Sequence, residues 1–514
     1  MTAPLLCGID IGTTNLKAIV FDASGTVIAA ASSPTPIHYP GPDRAEHDPE
    51  ALWLATARTV RAALARLPDP AAVISVSVAS MGESGVLVDG AGKAQGPMLA
   101  WFDGRTAPEA RALAERIGGD QLFAESGLSL QRIFSLCKLR WLQTHHSHFF
   151  RSGVRWLNTG DWITYRLSGQ QATDFSLASR TLLLKIHQLR WNLELLQELG
   201  FPPDLLAPLR PSGAHLGPIT AEAAGLTGLP LHTAVAVGGH DHVCAALALG
   251  VTEPGHLLNS LGTAEALFLP LERPLTDPVM GRQNYTQGCH VAGGYYTFGG
   301  QYTLGASIDW FRHAVGNDAP YDILIAEAEA APPGSLGVHF LPHLRLANPP
   351  HDDPRARGAF VGLTTDADRG VLFRALLEGL AYESQNTLEP LLHHTGLPGI
   401  RSALATGGAS RNQLYMQLRA TLLQAPMDIV SVDEATALGA ALLGGVGAGL
   451  FTGPAAAAAA VRYQCVTVEP DQTLAPFYRR RFEEIFQPLY ATLRTLNHRL
   501  AALSGAGEPG RDPS

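Results

Sequence analysis

The sequence is poor in cysteine, in charge and in unbroken apolar runs. Its 514 residues hold five cysteines, Cys7, Cys137, Cys244, Cys289 and Cys465, with no Cys-x-x-Cys pair. So few and so dispersed, they exclude a disulfide framework and read as the reduced thiols of a cytoplasmic protein. Charged residues make up 16% of the chain and the formal net charge is −9. The basic surface that a general nucleic-acid or membrane-surface binder needs is therefore missing. Small anionic ligands stay open, because backbone amides bind phosphate without it. Met1-Thr2-Ala3-Pro4 runs straight into an apolar segment, which leaves no room for a signal peptide. The longest weakly polar stretch, 435–451, is broken by glycines and falls short of a membrane span. Gly-x-x-x-x-Gly-Lys-Ser/Thr is also absent, so this is not a P-loop protein. The Gly-x-Gly-x-x-Gly match from Gly505 to Gly510 sits in a Gly/Pro tail with no strand before it.

What is present is a chain that is 46% hydrophobic, long enough for two large domains at roughly 100–200 residues per ordinary one. Apolar runs at 5–9, 16–21 and 27–31, joined by glycine turns, predict three strands. A helical spacing follows over 49–67 and a buried strand over 73–79. Alternating strands and helices favour an α/β architecture. The same opening returns at 257–260 and 266–269, again with glycine turns, which predicts two similar halves, 1–251 and 252–503. Amphipathic helices are expected at 368–391, 412–424 and 475–502, and a disordered tail over 504–514.

Four segments carry chemistry. In Gly8-Ile9-Asp10-Ile11-Gly12-Thr13-Thr14-Asn15-Leu16-Lys17 an aspartate ends a buried strand before a glycine and two threonines. Such a turn offers amides and hydroxyls to phosphate oxygens, its carboxylate reaches a magnesium ion, and Lys17 adds a point charge. In Gly238-Gly239-His240-Asp241-His242 the glycines let a ligand approach the backbone, and Asp241 is suited to accept a proton from a substrate hydroxyl or, more plainly, to cap a helix. A metal site on His240 and His242 lacks a third clustered ligand. Leu258-Asn259-Ser260-Leu261-Gly262-Thr263-Ala264-Glu265 is a second glycine–threonine turn. Ala405-Thr406-Gly407-Gly408-Ala409-Ser410-Arg411-Asn412 ends a strand and opens a helix, where a base or ribose can lie on the glycines and hydrogen-bond to Asn412.

Taken in this order, with Trp101-Phe102-Asp103-Gly104-Arg105-Thr106, Ala172-Thr173-Asp174-Phe175-Ser176 and Glu434-Ala435-Thr436-Ala437-Leu438-Gly439-Ala440 between and after them, these residues resemble the FGGY family of carbohydrate kinases over most of the chain. The resemblance implies an α/β fold of two ribonuclease-H-like domains, as in actin and hexokinase, flanking a catalytic cleft. It assigns the sugar mainly to the first half and ATP with Mg²⁺ mainly to the second. Residue by residue, it implies Asp241 as general base and Asp10 as the magnesium-side carboxylate. Thr13, Thr14, Asn15 and Lys17 match the first phosphate loop, and Gly262 and Thr263 the second. Gly305 matches a nucleotide-side glycine, and Gly407, Gly408 and Asn412 the adenosine site. Glu83, Asp103, Asp241 and His242 are the implied acceptor ligands.

The acceptor is less legible. Xylulokinases carry Met-His where this chain has Gly82-Glu83, and glycerol kinases carry Arg-Glu, so Glu83 agrees with the latter and Gly82 with neither; Ile133 stands at a glycerol-kinase tyrosine. Carboxylates at Glu83, Asp103 and Asp241 favour a neutral polyhydroxylated acceptor, pentulose first, over an anionic one such as gluconate, unless Arg105, Lys138 or another base compensates. A shorter polyol, glycerol or a tetritol, or gluconate is the alternative acceptor. An actin-like ATP-binding sensor is the non-enzymatic one. A homodimer is expected on general grounds.

Overall fold

The computed structural model describes residues 3–504 apart from position 433; the Gly505–Gly510 match and the expected tail beyond Ser504 lie outside the described residues. Strands β1 (Leu5–Ile11), β2 (Asn15–Phe21) and β3 (Val27–Pro34) form an antiparallel meander. Helix α1 (Pro49–Leu64) follows, its start fixed by Pro49 and by Asp48, whose carboxylate accepts from the Ala51 N–H at 2.8 Å. Strand β4 (Val73–Ser80) returns parallel to β1. With β5 (His215–Pro218), β6 (Ala234–Ala236) and β7 (Gly239–His240) it completes a sheet of order β5-β6-β4-β1-β2-β3, in which β7 also pairs with β4. Helix α2 (Asp241–Ala248) leaves the end of β7.

The second half repeats the pattern. Strands β8 (His256–Leu261) and β9 (Glu265–Leu271) form the hairpin, and β10 (Thr286–Cys289) and β11 (Tyr295–Gln301) extend it. Parallel β12 (Ser402–Thr406) and β13 (Met427–Val430) and antiparallel β14 (Cys465–Val468) give the order β10-β11-β9-β8-β12-β13-β14. Helices α3 (Leu304–Ala314), α4 (Arg369–Thr395), α5 (Gln413–Leu423) and α6 (Ala435–Gly447) connect these strands. The helix expected at 475–502 is broken into Ala475–Arg481, a π-turn at Phe482–Phe486 and Gln487–Leu503.

One core fills the α1 side of the first sheet around Leu52, Trp53, Val76 and Trp162. Another joins α4 and α5 to the second sheet around Phe373, Leu380 and Tyr415. Between the sheets, α2 and α6 share a third with residues from both, including Leu6, Val243, Leu258, Leu404 and Leu442. Helix α6 belongs to the second half by sequence but lies on β1 at van der Waals range. A Cβ built on Gly8 would fall 1.9 Å from the Ala437 carbonyl oxygen, and one on Gly439 1.9 Å from that of Cys244. Only hydrogen fits at either position.

Candidate active site

The first sheet gathers three carboxylates at one edge. In the parallel register Asp10 faces Ala79 and Ile11 faces Ser80, while Gly239 and His240 face the same pair from the other side. Asp10, the Met81-Gly82-Glu83 segment and Asp241 therefore all emerge at the carboxyl ends of β1, β4 and β7, where α/β sheets bind ligands. Gly238 permits this convergence, since a Cβ there would meet the Val78 carbonyl oxygen at 1.8 Å. Asp241 is the first residue of α2, not its cap: the cap position is His240, which makes no side-chain capping bond. Asp241 Oδ1 accepts from the His242 N–H at 2.6 Å and lies 3.3 Å from His240 Nε2. The helix N-terminus favours a carboxylate there.

Asp10 is half-buried at the end of β1. Burial and the Asp241 carboxylate push its carboxyl up to about 7, with Lys17 pulling down and Glu434 pushing up. The unfolded chain releases this proton near 3.8 and the folded chain near 7, so between those values the folded state holds more protons and stability falls as pH rises. Asp10→Asn is therefore expected to flatten the decline in Tm from about pH 4 to about pH 7.5; a slope equal to that of the unmodified protein would show that Asp10 is not the group responsible. Lys17, opposite Asp10 across β1–β2, is already paired: its Nζ lies 2.8 Å from Glu434 Oε2, at the start of α6.

The turn between β1 and β2 is closed by the Gly12 N–H donating to the Asn15 carbonyl at 3.1 Å and braced by Thr35 Oγ1 on the Gly12 carbonyl at 2.7 Å. Thr14 and Asn15 are exposed on it. Thr13 turns toward the first half instead, its Oγ1 accepting from Trp101 Nε1 at 2.9 Å. The matching turn of the second sheet, Gly262-Thr263-Ala264, is exposed and faces the cleft. The Gly305 N–H donates to the Gly262 carbonyl at 3.2 Å and the Ala306 N–H to that of Thr263 at 3.3 Å, fastening the start of α3 to this turn. Gly407 ends β12 beside β8 with φ +102°, and its absent Cβ would sit 2.5 Å from the Leu261 carbonyl oxygen. Gly408 is open, and Asn412 spends its Oδ1 as the cap of α5, accepting from the Tyr415 N–H at 3.0 Å.

The cleft between the halves has a volume of about 1310 Å³ and is bordered by Arg44, Phe102 and Arg132 on one side and by Ser260, Gly262 and Tyr302 on the other. At its floor a smaller cavity of about 220 Å³ collects Thr13, Glu83, Trp101, Ile133, Asp241 and His242. Arg180, which is not among the residues expected from sequence, lines this cavity too. Its Nε and Nη2 both stand 2.6 Å from Glu83 Oε1, and it follows the Asp174–Ser176 landmark by four residues. Burial drives the His240 imidazole down to about 3, which leaves it neutral.

Asp103 departs from expectation. It is 1% exposed, and its oxygens accept from the Arg105 and Ala45 N–H groups and from Arg105 Nε and Nη2, at 2.6–2.9 Å. Four donors fill a carboxylate's capacity, so Asp103 shapes the Trp101 loop and has nothing left for an acceptor. Arg105 is consumed with it and by Glu46 at 3.2 Å. Lys138 is fully buried, its Nζ on the carbonyl of Ile133. Arg180 is the base that compensates Glu83. Among the described residues no group of three or more His, Cys, Asp or Glu side chains is arranged to hold a metal, and no helix is long and apolar enough to cross a membrane.

A two-sheet α/β protein with paired glycine turns across a cleft and carboxylates at its floor has the layout of a sugar-phosphorylating enzyme. The chain belongs to the FGGY family of carbohydrate kinases: residues 5–248 match the family's N-terminal domain and 257–448 its C-terminal domain. Its relatives include a glycerol kinase from Gloeobacter violaceus, 33% identical over 87% of this chain and 88% of that one. A xylulose kinase from Bacillus subtilis is 26% identical over 95% and 97%. The crystal structure of a xylulose kinase from Rhodospirillum rubrum superposes with a TM-score of 0.87 at 29% identity, covering 96% of this chain and all of the other. The protein is a carbohydrate kinase that uses ATP.

Proposed function

We propose that the chain transfers the γ-phosphoryl of ATP to a hydroxyl of a neutral ketose or polyol, with a pentulose as the preferred acceptor and Asp241 as general base. The observation that carries this reading is the meeting of Asp241 with Asp10 at the ends of β7 and β1, the acceptor cavity beside them and the glycine–threonine turn of the second sheet across the cleft. Asp241 takes the proton of the acceptor hydroxyl as that oxygen bonds to phosphorus. The bond to the β–γ bridging oxygen breaks, and ADP leaves with its electron pair. The exposed ends of the two glycine turns, Thr14–Asn15 and Thr263–Ala264, offer hydroxyls and fixed backbone dipoles to phosphate oxygens, and positioning plus these dipoles supplies most of the acceleration.

Mg²⁺ fits this site. The Asp10 and Asp241 carboxylates repel each other at the half-buried end of β1, and Mg²⁺ is usually held by one or two carboxylates with phosphate oxygens and water filling the rest, so a three-residue protein cluster is not required. Asp10 would hold it. The chemistry such an ion would supply is neutralisation of the charge that builds on the nucleotide's phosphates. Gly407, Gly408 and the Asn412 amide, at the same sheet edge as the Gly262 turn, suit the adenosine end. A domain boundary near 252–255 assigns the acceptor to residues 1–251 and the nucleotide to 252–503, with α6 as the element that crosses back.

A shorter polyol is the second reading, favoured by the relative named glycerol kinase and by Glu83. Acceptor-dependent ADP release across glycerol, tetritols, pentuloses, hexuloses and gluconate tests both; tight ATP binding with no response to any acceptor would favour a nucleotide sensor instead. Gly305→Ala is expected to raise the KM for ATP about tenfold, since its Cβ would press at 2.7 Å on the Gly262 carbonyl oxygen, a displacement costing about 1.4 kcal/mol of binding. An acceptor KM that rises instead would remove Gly305 from the nucleotide side.

A further inference from the structure

The acceptor cavity has a polar end that the reaction itself does not use. Arg180, 9% exposed, lies across the Phe134 ring, 5.2 Å from guanidinium carbon to centroid. Its Nε and Nη2 converge on one oxygen of Glu83, and its Nη1 donates to Thr286 Oγ1 at 3.1 Å. A guanidinium has five N–H donors, so these contacts leave two, and the second Glu83 oxygen is not the one that Arg180 takes. Tyr296 is 2% exposed, and its hydroxyl lies beside the guanidinium without a well-formed hydrogen bond to any described residue. All three groups line the cavity that also holds Asp241.

Gly82 makes this arrangement fit. A Cβ there would stand 2.9 Å from His240 Cδ2 and 3.3 Å from Arg180 Cγ, so a larger residue would have to move the His240 ring and press on the Arg180 stem. Glu83 itself is held at φ +63°, a conformation that a non-glycine residue adopts only where its surroundings enforce it.

We infer that Arg180, with Glu83 and Tyr296, is the specificity end of the acceptor cavity and selects a neutral acceptor bearing two adjacent hydroxyls besides the one that reacts; this rests on the kinase reading above. One hydroxyl donates to the second Glu83 oxygen, and the pair accepts from the remaining Arg180 N–H groups and the Tyr296 hydroxyl. A carboxylate-bearing acceptor is rejected, because the guanidinium charge is already matched by Glu83 and an anion would face that carboxylate.

The test compares ADP release with D-xylulose, its 3-deoxy analogue and D-gluconate. The unmodified enzyme is expected to prefer D-xylulose to both others at least tenfold in kcat/KM, since a site built for hydroxyls is left with unpaired polar groups when one is missing. Arg180→Lys, which keeps the charge and loses the fork, is expected to lower kcat/KM for D-xylulose at least tenfold, mainly through KM, and for the 3-deoxy analogue less than about threefold, with the KM for ATP unchanged. Equal losses on the two sugars, or equal use of gluconate and xylulose by the unmodified enzyme, would overturn the inference; the second comparison stands even if Arg180→Lys does not fold. An enzyme that turns over other sugars but discriminates in neither way fails here alone, whereas one that no acceptor stimulates fails the kinase reading first.

Discussion

Asp241→Asn is expected to lower kcat by about 10²–10⁴-fold, the usual contribution of a positioned general base, while the dissociation constant for ATP stays within about twofold. The substitution preserves size and removes only basicity. Asp10, the other carboxylate at this sheet end, is assigned to the metal side, and among the described residues neither histidine flanking Asp241 is suited to take over. The His240 ring is neutral and is held at about 3 by burial, and the His242 side chain is largely exposed, 4.0 Å from the carboxylate. Arg180 pairs with Glu83, Arg105 with Asp103, and Lys138 faces a backbone carbonyl. Nucleotide binding measured by calorimetry, alongside steady-state kinetics, separates the two effects. An unchanged turnover number would remove Asp241 from the mechanism, and a parallel loss of ATP affinity would move it to the nucleotide side.

The largest expected effect on stability comes from Gly8→Ala. A single methyl at this position meets a backbone carbonyl of α6 at 1.9 Å and the Ala441 Cβ at 3.1 Å. Neither can rotate away as a side chain would, so α6 must lift off β1. Overpacking costs about 1–3 kcal/mol where side chains can adjust, and a rigid partner puts this case at about 3 kcal/mol or more. Thermal unfolding should show a drop of several degrees or poor soluble yield. As a control, Gly118→Ala adds a methyl with nothing within 4 Å, though at φ +90°, and should cost only the backbone strain, about 1 kcal/mol. Equal Tm values for Gly8→Ala and the unmodified protein would contradict the close packing of α6 on β1.

Much of the fold was legible because its signals are local. Glycine and threonine after an apolar run mark both hairpin turns, and the carboxylate at each strand end is visible as Asp10 and Asp241. The order of those segments also carries the two-half architecture. What stayed hidden depends on partners distant in sequence. Arg180 pairs with a carboxylate 97 residues away, and its place four residues after the Asp174–Ser176 landmark is the one local signal for it. Asp103 reads as an acceptor ligand until Ala45, 58 residues upstream, and the adjacent Arg105 are found to fill its oxygens. Lys17 looked free for phosphate for the same reason, its partner Glu434 being 417 residues off. The break at Phe482–Phe486 was missed because a π-turn leaves amphipathic spacing nearly intact.

The placement of Ala435–Gly447 on the first sheet also bears on how the polypeptide is made. As the ribosome delivers the chain, the face of β1 that carries Gly8 stays bare until residues near 447 have emerged, because α6 is its cover. The amino-terminal portion therefore completes its interior last, although it is synthesised first, and long-separated contacts of this kind slow assembly. A fragment ending at residue 251 would leave that apolar surface open to water, and should be prone to clump on its own yet be rescued by supplying the remaining residues in trans.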